Sequence, residues 1–307
     1  MDAALLTALA SSMVTMAIPL LLAALGELIA ERAGIINIGL EGFLLIGAFT
    51  AMAGAFFYAS AAVGIALALA CGAILGGGFA FFVVRRNANQ VVVGTAFNLL
   101  AIGLTGVAYR AVFGTTGAAL TIEGTPSIPI PLLYSIPVLG PAVFAQTILG
   151  YASFILVPCV GFGLTRTLPG LKLRMVGENP RAAETQGVPV GATRTVALVL
   201  CGLLATAAGA YLAVGYAKTF VEGMSAGRGF IALAIVIIGR RSAWGIMLAA
   251  LFFGLATALQ FHFQALNLAI PHQFLLMLPY VLTLLVLAGY AGQTRSPAAL
   301  GLPYTRP

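Results

Sequence analysis

The feature that most constrains this chain is a set of long stretches without a single charged residue. A membrane-spanning helix needs about 20 consecutive apolar residues, so the longer stretches can each hold two spans. Only 7% of the residues are charged, whereas a soluble domain carries about 25%. The chain is therefore expected to be an integral, multi-span membrane protein. The uncharged stretches are 5–25, 42–84, 87–109, 124–165, 195–217 and 242–294.

The apolar stretches predict helices and not barrel strands. They are rich in Ala, Gly and Leu and lack the alternation of transmembrane strands, and each helix satisfies its own backbone groups in lipid. We expect an all-α, polytopic transmembrane helix bundle that forms one domain over residues 1–307. The seventh span is too short to cross alone, so it either borrows residues from the preceding stretch YAKTFVEGMSAGRG or is a broken helix. The nine predicted spans are 5–25, 42–58, 62–84, 91–112, 142–165, 194–215, 228–239, 243–262 and 273–292.

Basic residues in the loops predict the orientation of the bundle. If the N-terminus lies outside, twelve of the fifteen Lys and Arg residues fall on the cytoplasmic side, as the positive-inside rule requires. The loop at about 166–194 and the C-terminus are then cytoplasmic, and Arg110, Lys218 and Arg228 lie outside. The basic residues form no continuous patch, so no nucleic-acid partner is expected.

Residues 27–42 (ELIAERAGIINIGLEG) concentrate polar and charged groups beside two apolar stretches. Asn37 and Glu41 lie one helical turn apart, and Gly34 and Gly39 permit a break in the helix. Because polar groups at membrane depth usually face a cavity, we predict a bent re-entrant element with Asn37 and Glu41 beside a translocation route. The alternative is anchoring, in which Glu41 pairs with a basic neighbour or caps a backbone end.

The fourth span carries polar residues that also suggest a route. Thr95, Asn98 and Thr105 lie near one helical face, and we place Thr95 and Asn98 on the substrate pathway. The alternative for Asn98 is a hydrogen-bonded clamp between two helices. His262 and His272 fit no usual ligand spacing, so no metal site is predicted.

The loop 166–194 contains signals for a short surface helix. Asn179 can cap it, Pro180 suits its first position, and Gly187 can end it. A polar helix over 180–186 could insert into a cleft on another protein. The alternative is an amphipathic surface helix without a partner.

Three motifs in this order resemble those of one transporter family. "RAAETQG" (181–187) is similar to the EAA-x-x-x-G loop of ABC-importer permeases, with Arg181 where many members carry Glu. "LRMVGENPRAAETQGVPV" resembles permeases for nucleosides and simple sugars, which are relatives of the branched-chain amino acid type. "AERAGIINIGLEGFLLIGAF" (30–49) and "GMSAGRGFIALAIVIIGRRSAWG" (223–245) are similar to the N-terminal and C-terminal signatures of the family.

The resemblance implies a non-enzymatic permease subunit in a bacterial-type cytoplasmic membrane. Its implied partners are ATP-binding cassette ATPase subunits, a second permease that is identical or homologous, an extracytoplasmic binding protein and membrane lipid. Neither Lys172 nor Lys218 lies in a G-x-x-x-x-G-K-[ST] motif, so ATP and Mg are expected on partner subunits and no cofactor in this chain. The implied coupling residues are Asn179, Pro180, Arg181, Ala182, Ala183, Glu184 and Gly187.

The resemblance also implies a neutral polar solute, with a nucleoside first and a simple sugar or riboflavin as alternatives. A different class of function remains open, an ion-coupled secondary transporter that uses Glu41 as a proton or sodium site. The capped loop at 166–194 argues against that class, because an ion-coupled carrier needs no ATPase contact. An intramembrane enzyme is not favoured, since the chain contains no H-E-x-x-H motif.

Overall fold

A computed structural model describes residues 3–114, 121–265 and 296–305, with residues 273, 274, 277, 281, 282, 284, 285 and 288. Two short strands, β1 (Ile128–Pro129) and β2 (Ala145–Gln146), pair antiparallel. π-Helical segments continue two of the helices, at Phe81–Arg85 and at Tyr211–Ala217. The described α-helices are α1 (Ala3–Arg32), α2 (Leu40–Tyr58), α3 (Ala61–Ala80), α4 (Gln90–Phe113), α5 (Leu139–Val143), α6 (Ile148–Arg166), α7 (Leu168–Glu178), α8 (Pro180–Thr185), α9 (Val190–Ala210), α10 (Arg228–Ile238) and α11 (Ala243–Ala265).

The described helices confirm the all-α, polytopic bundle. Seven of them are long and apolar enough to cross a membrane, and they correspond to the predicted spans one to six and eight. The predicted seventh span is α10, which has only 11 residues. The predicted ninth span, 273–292, lies mostly outside the described residues.

Close backbone contacts hold the centre of the bundle together, where α1, α2, α3 and α9 pack on one another. A Cβ atom on Gly47 of α2 would lie 2.5 Å from the carbonyl oxygen of Thr206 in α9. A Cβ atom on Gly209 of α9 would lie even closer to the carbonyl oxygen of Leu44 in α2. In a membrane, such packing of small residues replaces the hydrophobic effect as the source of helix association.

The predicted cytoplasmic loops meet at one end of the bundle. Arg32 Nη2, at the end of α1, donates a hydrogen bond to the carbonyl oxygen of Arg241 at 2.6 Å. Arg194 Nε, near the start of α9, donates to the carbonyl oxygen of Ala33 at 3.2 Å. This arrangement agrees with the parity of the predicted spans.

The placement of Arg228 differs from the sequence prediction of an outer loop. Arg228 is the first residue of α10, and the N-terminus of α10 contacts Glu41 in the first turn of α2. Residues 218–227 therefore turn back into the bundle. Hydropathy could not predict that residues 218–227 enter the bundle, because this segment contains few apolar residues and has the composition of a surface loop.

Candidate functional site

The helical break that the glycines predict is present after α1. Glu27 and Glu31 belong to α1, and residues 33–39 form the non-helical segment. Gly34 has φ +85°, its N–H donates to the carbonyl of Glu31, and the N–H of Ile35 donates to the carbonyl of Ala30. These two bonds are the Schellman pattern that ends helices at glycine. The break at 33–39 therefore lies within the predicted bent element 27–42.

Side chains satisfy the backbone groups that the break leaves free. The Asn37 N–H donates to Glu27 Oε1 at 2.9 Å, and the Ile36 N–H donates to Gln90 Oε1 at 2.8 Å. Asn37 Oδ1 accepts the N–H of Gly39 at 3.0 Å, and the Asn37 side chain is fully buried. Non-helical backbone at membrane depth is tolerated only when it is bonded in this way.

Asn98 joins α4 to the start of α2. Its Oδ1 accepts the N–H of Gly42 at 2.8 Å, and its Nδ2 donates to the carbonyl of Ile38 at 3.0 Å. A Cβ on Gly42 would lie 2.8 Å from the carbonyl oxygen of Phe97, so the two helices touch through their backbones. This geometry is that of the hydrogen-bonded clamp.

Thr95 does not share the buried face of Asn98. Its side chain is exposed, and its hydroxyl donates to the carbonyls of Val91 and Val92 in its own helix. Three residues along a helix rotate the side chain by about 60° from the Asn98 direction, which is enough to leave the contact. Thr105, seven residues after Asn98, is buried. Thr95 therefore does not lie beside the other three predicted pathway residues.

Glu41 caps the N-terminus of α10. Its two oxygens accept the N–H groups of Gly227 and Gly229, each at 2.7 Å. A carboxylate at this position forms charge-assisted hydrogen bonds and favours the positive end of the helix dipole. Glu41 therefore connects α2 to α10 through both of its carboxylate oxygens.

The other end of α10 is also held by an acid from the same stretch of sequence. Glu31 Oε2 forms a buried ion pair with Arg241 Nε at 2.5 Å, three residues beyond the end of α10. Glu31 and Glu41 thus hold opposite ends of one short helix. The sequence analysis did not identify the partner of Glu31. The available signal was a pair of opposite charges just beyond the ends of the first and seventh predicted spans, since buried charges are generally paired.

The predicted surface helix exists as α8 and has the predicted caps. Asn179 Oδ1 accepts the N–H of Ala182 at 3.1 Å, and Pro180 is its first residue. Gly187 has φ +77°, its N–H donates to Glu184, and the N–H of Val188 donates to Ala183, both through backbone carbonyls. The stop at Gly187 is therefore a second Schellman motif.

The two alanines of α8 face in opposite directions. Ala182 is exposed, whereas Ala183 is 1% exposed and packs with Val176, Val188 and Val190. The Schellman motif brings the residue after the glycine against this alanine. Ala183 therefore lies in the interior of the loop. The prediction that it contacts the ATPase directly is wrong, because its side chain is covered by residues of its own chain. The exposed positions of α8 are Arg181, Ala182 and Thr185.

Sequence reasoning missed a second helix in the same loop. Thr167 accepts the N–H of Gly170 and begins α7, which has Pro169 in its first turn. A Thr before a Pro-containing first turn is the signal that could have identified it. His262 lies in α11, and His272 lies outside the described residues.

Comparison with known proteins identifies relatives across most of the chain. Residues 9–287 match the family described as "Branched-chain amino acid transport system / permease component". The chain is 36% identical to the guanosine ABC transporter permease protein NupQ of Bacillus subtilis, over 94% of each chain. It is also 36% identical to the nucleoside ABC transporter permease protein NupC of Lactococcus lactis subsp. cremoris, over 96% of each chain.

A third relative is named for a different solute. A permease protein of Haloferax volcanii, assigned by name provisionally to glucose transport, is 38% identical over 82% of this chain and 76% of its own length. No solved structure matches the chain.

Proposed function

Because the chain belongs to the permease-component family of branched-chain amino acid transport systems, we propose that it is the membrane subunit of an ATP-driven nucleoside importer. The seven long apolar helices among the described residues, together with its permease relatives, make it a multi-pass protein of the cytoplasmic membrane. The observation that carries the ATP-driven part is α8, a capped helix between two spans with Arg181, Ala182 and Thr185 exposed.

The exposed face of α8 suits contact with a separate ATPase subunit. An isolated helix of six residues is not stable in water, and here Asn179 and Gly187 fix both of its ends. Four residues, 186–189, connect α8 directly to α9. A push on α8 by a closing ATPase would therefore be passed to a span. ATP and Mg are bound by that partner, and an extracytoplasmic protein delivers the solute.

The contacts of Glu41 support the ATP-driven class over the ion-coupled one. Both carboxylate oxygens accept backbone N–H groups. A proton or sodium ion bound at Glu41 would reduce the negative charge that strengthens these two bonds, and so would weaken the cap on the N-terminus of α10. We therefore assign Glu41 to holding α10, and Asn37 and Asn98 to holding the segment beside it. In this proposal the solute route runs beside these residues.

The choice of a nucleoside as the solute depends on the relatives of the chain. The guanosine and nucleoside permeases align with nearly the whole of this chain at 36% identity, and the relative named for glucose aligns with 82% of it. A nucleoside and a sugar both carry hydroxyl groups and no net charge, so the two classes need a direct comparison.

A competition experiment tests the solute class. Cells that express the chain with its partner subunits take up radiolabelled guanosine, and unlabelled guanosine, adenosine, uridine, ribose, glucose or riboflavin is added in 100-fold excess. We expect the nucleosides to abolish at least about 90% of the uptake, because at equal affinity a 100-fold excess occupies nearly all sites. Glucose, ribose and riboflavin should leave it unchanged. Absence of guanosine uptake, or inhibition of it by glucose as strong as that by adenosine, would contradict the nucleoside assignment.

A further inference from the structure

The C-terminal segment 298–304 runs along the cytoplasmic end of the bundle, between the loop helices and the break after α1. The N–H of Ala299 donates to the carbonyl of Gly177 in α7 at 2.9 Å. The N–H of Gly301 donates to the carbonyl of Gly34 at 3.1 Å. The backbone of this segment is thus bonded both to the loop 166–194, called the coupling loop below, and to the non-helical segment 33–39 after α1.

Side chains of the coupling loop bind the same segment. The Tyr304 hydroxyl donates a hydrogen bond to Glu184 Oε2 in α8. The N–H of Ala298 donates to Glu178 Oε2, at the end of α7, at 3.3 Å. Each of the two loop helices therefore has one carboxylate directed at the C-terminal segment.

Arg194 completes the connection from within the bundle. Its side chain is only 3% exposed although it carries a charge. Its Nε donates to the carbonyl of Ala33 at 3.2 Å, and its Nη1 donates to the carbonyl of Leu302 at 3.3 Å. A buried guanidinium that loses such partners is strongly destabilising, so Arg194 holds α9, the break after α1 and the C-terminal segment in one fixed geometry.

Hydrogen bonds, more than close packing, set the position of this segment. Two cavities adjoin it, of about 450 Å³ and about 280 Å³, and Tyr304 and Thr305 line both. A segment with open space beside it on two sides is not fixed by van der Waals contact alone. Its bonds to Glu184 and Gly34 therefore decide whether it moves with α8 or with α1.

We infer that the C-terminal segment is a positioning element of the coupling mechanism, which passes displacement of α8 to the re-entrant segment 33–39 through Tyr304 and Gly301. The inference rests on the proposed function, because it assumes that a partner ATPase moves α8. The covalent link from α8 to α9 moves a span, whereas the C-terminal segment reaches the break after α1. From there Glu31 and Glu41 extend the contact to both ends of α10.

Replacing Tyr304 by phenylalanine tests this inference with little risk to folding. The change removes the hydroxyl that binds Glu184 and leaves the ring in place. We expect the complex to retain its ATPase subunit in full, and the number of ATP molecules hydrolysed per solute imported to rise roughly 3- to 10-fold, as for mutations that modulate coupling. The measurement is ATP hydrolysis and solute uptake in the same proteoliposomes.

A matched control lies at the opposite end of the bundle. The Tyr151 hydroxyl donates to the carbonyl of Ile128 at 2.7 Å and accepts the N–H of Gln146 at 3.3 Å, so Tyr151→Phe also removes the hydrogen bonds of a tyrosine hydroxyl and leaves the ring in place. Its ratio of ATP hydrolysed to solute imported should equal that of the native complex. A ratio for Tyr304→Phe that is indistinguishable from the Tyr151→Phe ratio would overturn the inference.

A double-mutant cycle identifies the bond itself. If the Tyr304–Glu184 contact carries the effect, Glu184→Ala with Tyr304→Phe should raise the ratio no further than the larger single change. Additive effects of the two changes would contradict the role of this bond. A failure of the proposed function looks different, because the native complex itself would then show no ATP-dependent uptake.

Discussion

Replacement of Glu41 by alanine should lower the free energy of unfolding by about 2–6 kcal/mol, since two buried N–H groups then lose their acceptor. Gly227 and Gly229 donate to the two oxygens of Glu41 at 2.7 Å each, and no other side chain caps α10 among the described residues. A loss of this size is a large fraction of the stability of most proteins. Thermal unfolding of the purified complex in detergent measures it.

Replacement of Glu41 by glutamine distinguishes a role for its charge from a role for its hydrogen bonds to α10. It keeps one carbonyl oxygen but turns an amide group toward the second N–H, so we expect a smaller loss of about 1–3 kcal/mol. Uptake should fall with the fraction of folded complex. If Glu41→Gln is as stable as the native chain and uptake no longer depends on an ion gradient, Glu41 is an ion site and the ion-coupled class is supported.

Glu222→Gln is the matched control for Glu41→Gln. The Glu222 side chain is about half exposed and pairs with Arg110 at 3.1 Å at the other end of the bundle. Exposed ion pairs contribute about 0–1 kcal/mol, so this change should have little effect. A Glu41→Ala chain as stable as the Glu222→Gln chain would disprove the cap.

Glutamate at Ala182 should weaken retention of the ATPase subunit by at least about 100-fold, because an uncompensated charge buried in a contact costs about 3–5 kcal/mol and each 1.4 kcal/mol is a factor of ten. Ala182 is exposed on α8, so the isolated membrane subunit should fold and insert as before. Co-purification from detergent-solubilised membranes measures how much ATPase is retained. Size-exclusion chromatography of the membrane subunit measures the folded yield separately.

Ala183→Glu provides the comparison within the same helix. Ala183 packs against Val176 and Val188, so a glutamate there should disrupt the loop and reduce the folded yield. Equal retention of the ATPase by the Ala182→Glu and native chains would show that α8 does not contact the ATPase. Loss of folded yield in Ala182→Glu would contradict the exposed position of this residue.

The sequence predicted features that depend on local backbone chemistry. Gly34 and Gly187 each adopt the left-handed conformation that ends a helix, and Asn179 caps α8. Such signals lie within a few residues of the structure that they determine. The shortness of α10 followed in the same way, from the length of its apolar stretch.

The sequence could not predict features that depend on distant partners. Glu31 pairs with Arg241, 210 residues away. The anchoring alternative for Glu41 included a cap on a backbone end, but the sequence could not show that this end is the N-terminus of α10 at Gly227 and Gly229. Helical spacing placed Ala182 and Ala183 together but could not show which of them faces the interior. The pathway role of Asn37, Glu41, Thr95 and Asn98 and the coupling role of α8 remain predictions.

The central claim is that ATP hydrolysis on a partner subunit drives solute import through this chain. The most direct measurement is guanosine uptake by proteoliposomes that contain the purified complex, with the binding protein outside and ATP inside. Ionophores that collapse proton and sodium gradients are added in parallel. We predict that uptake requires internal ATP and persists when the gradients are collapsed. Uptake that proceeds without ATP and stops when the gradients are collapsed would contradict the claim.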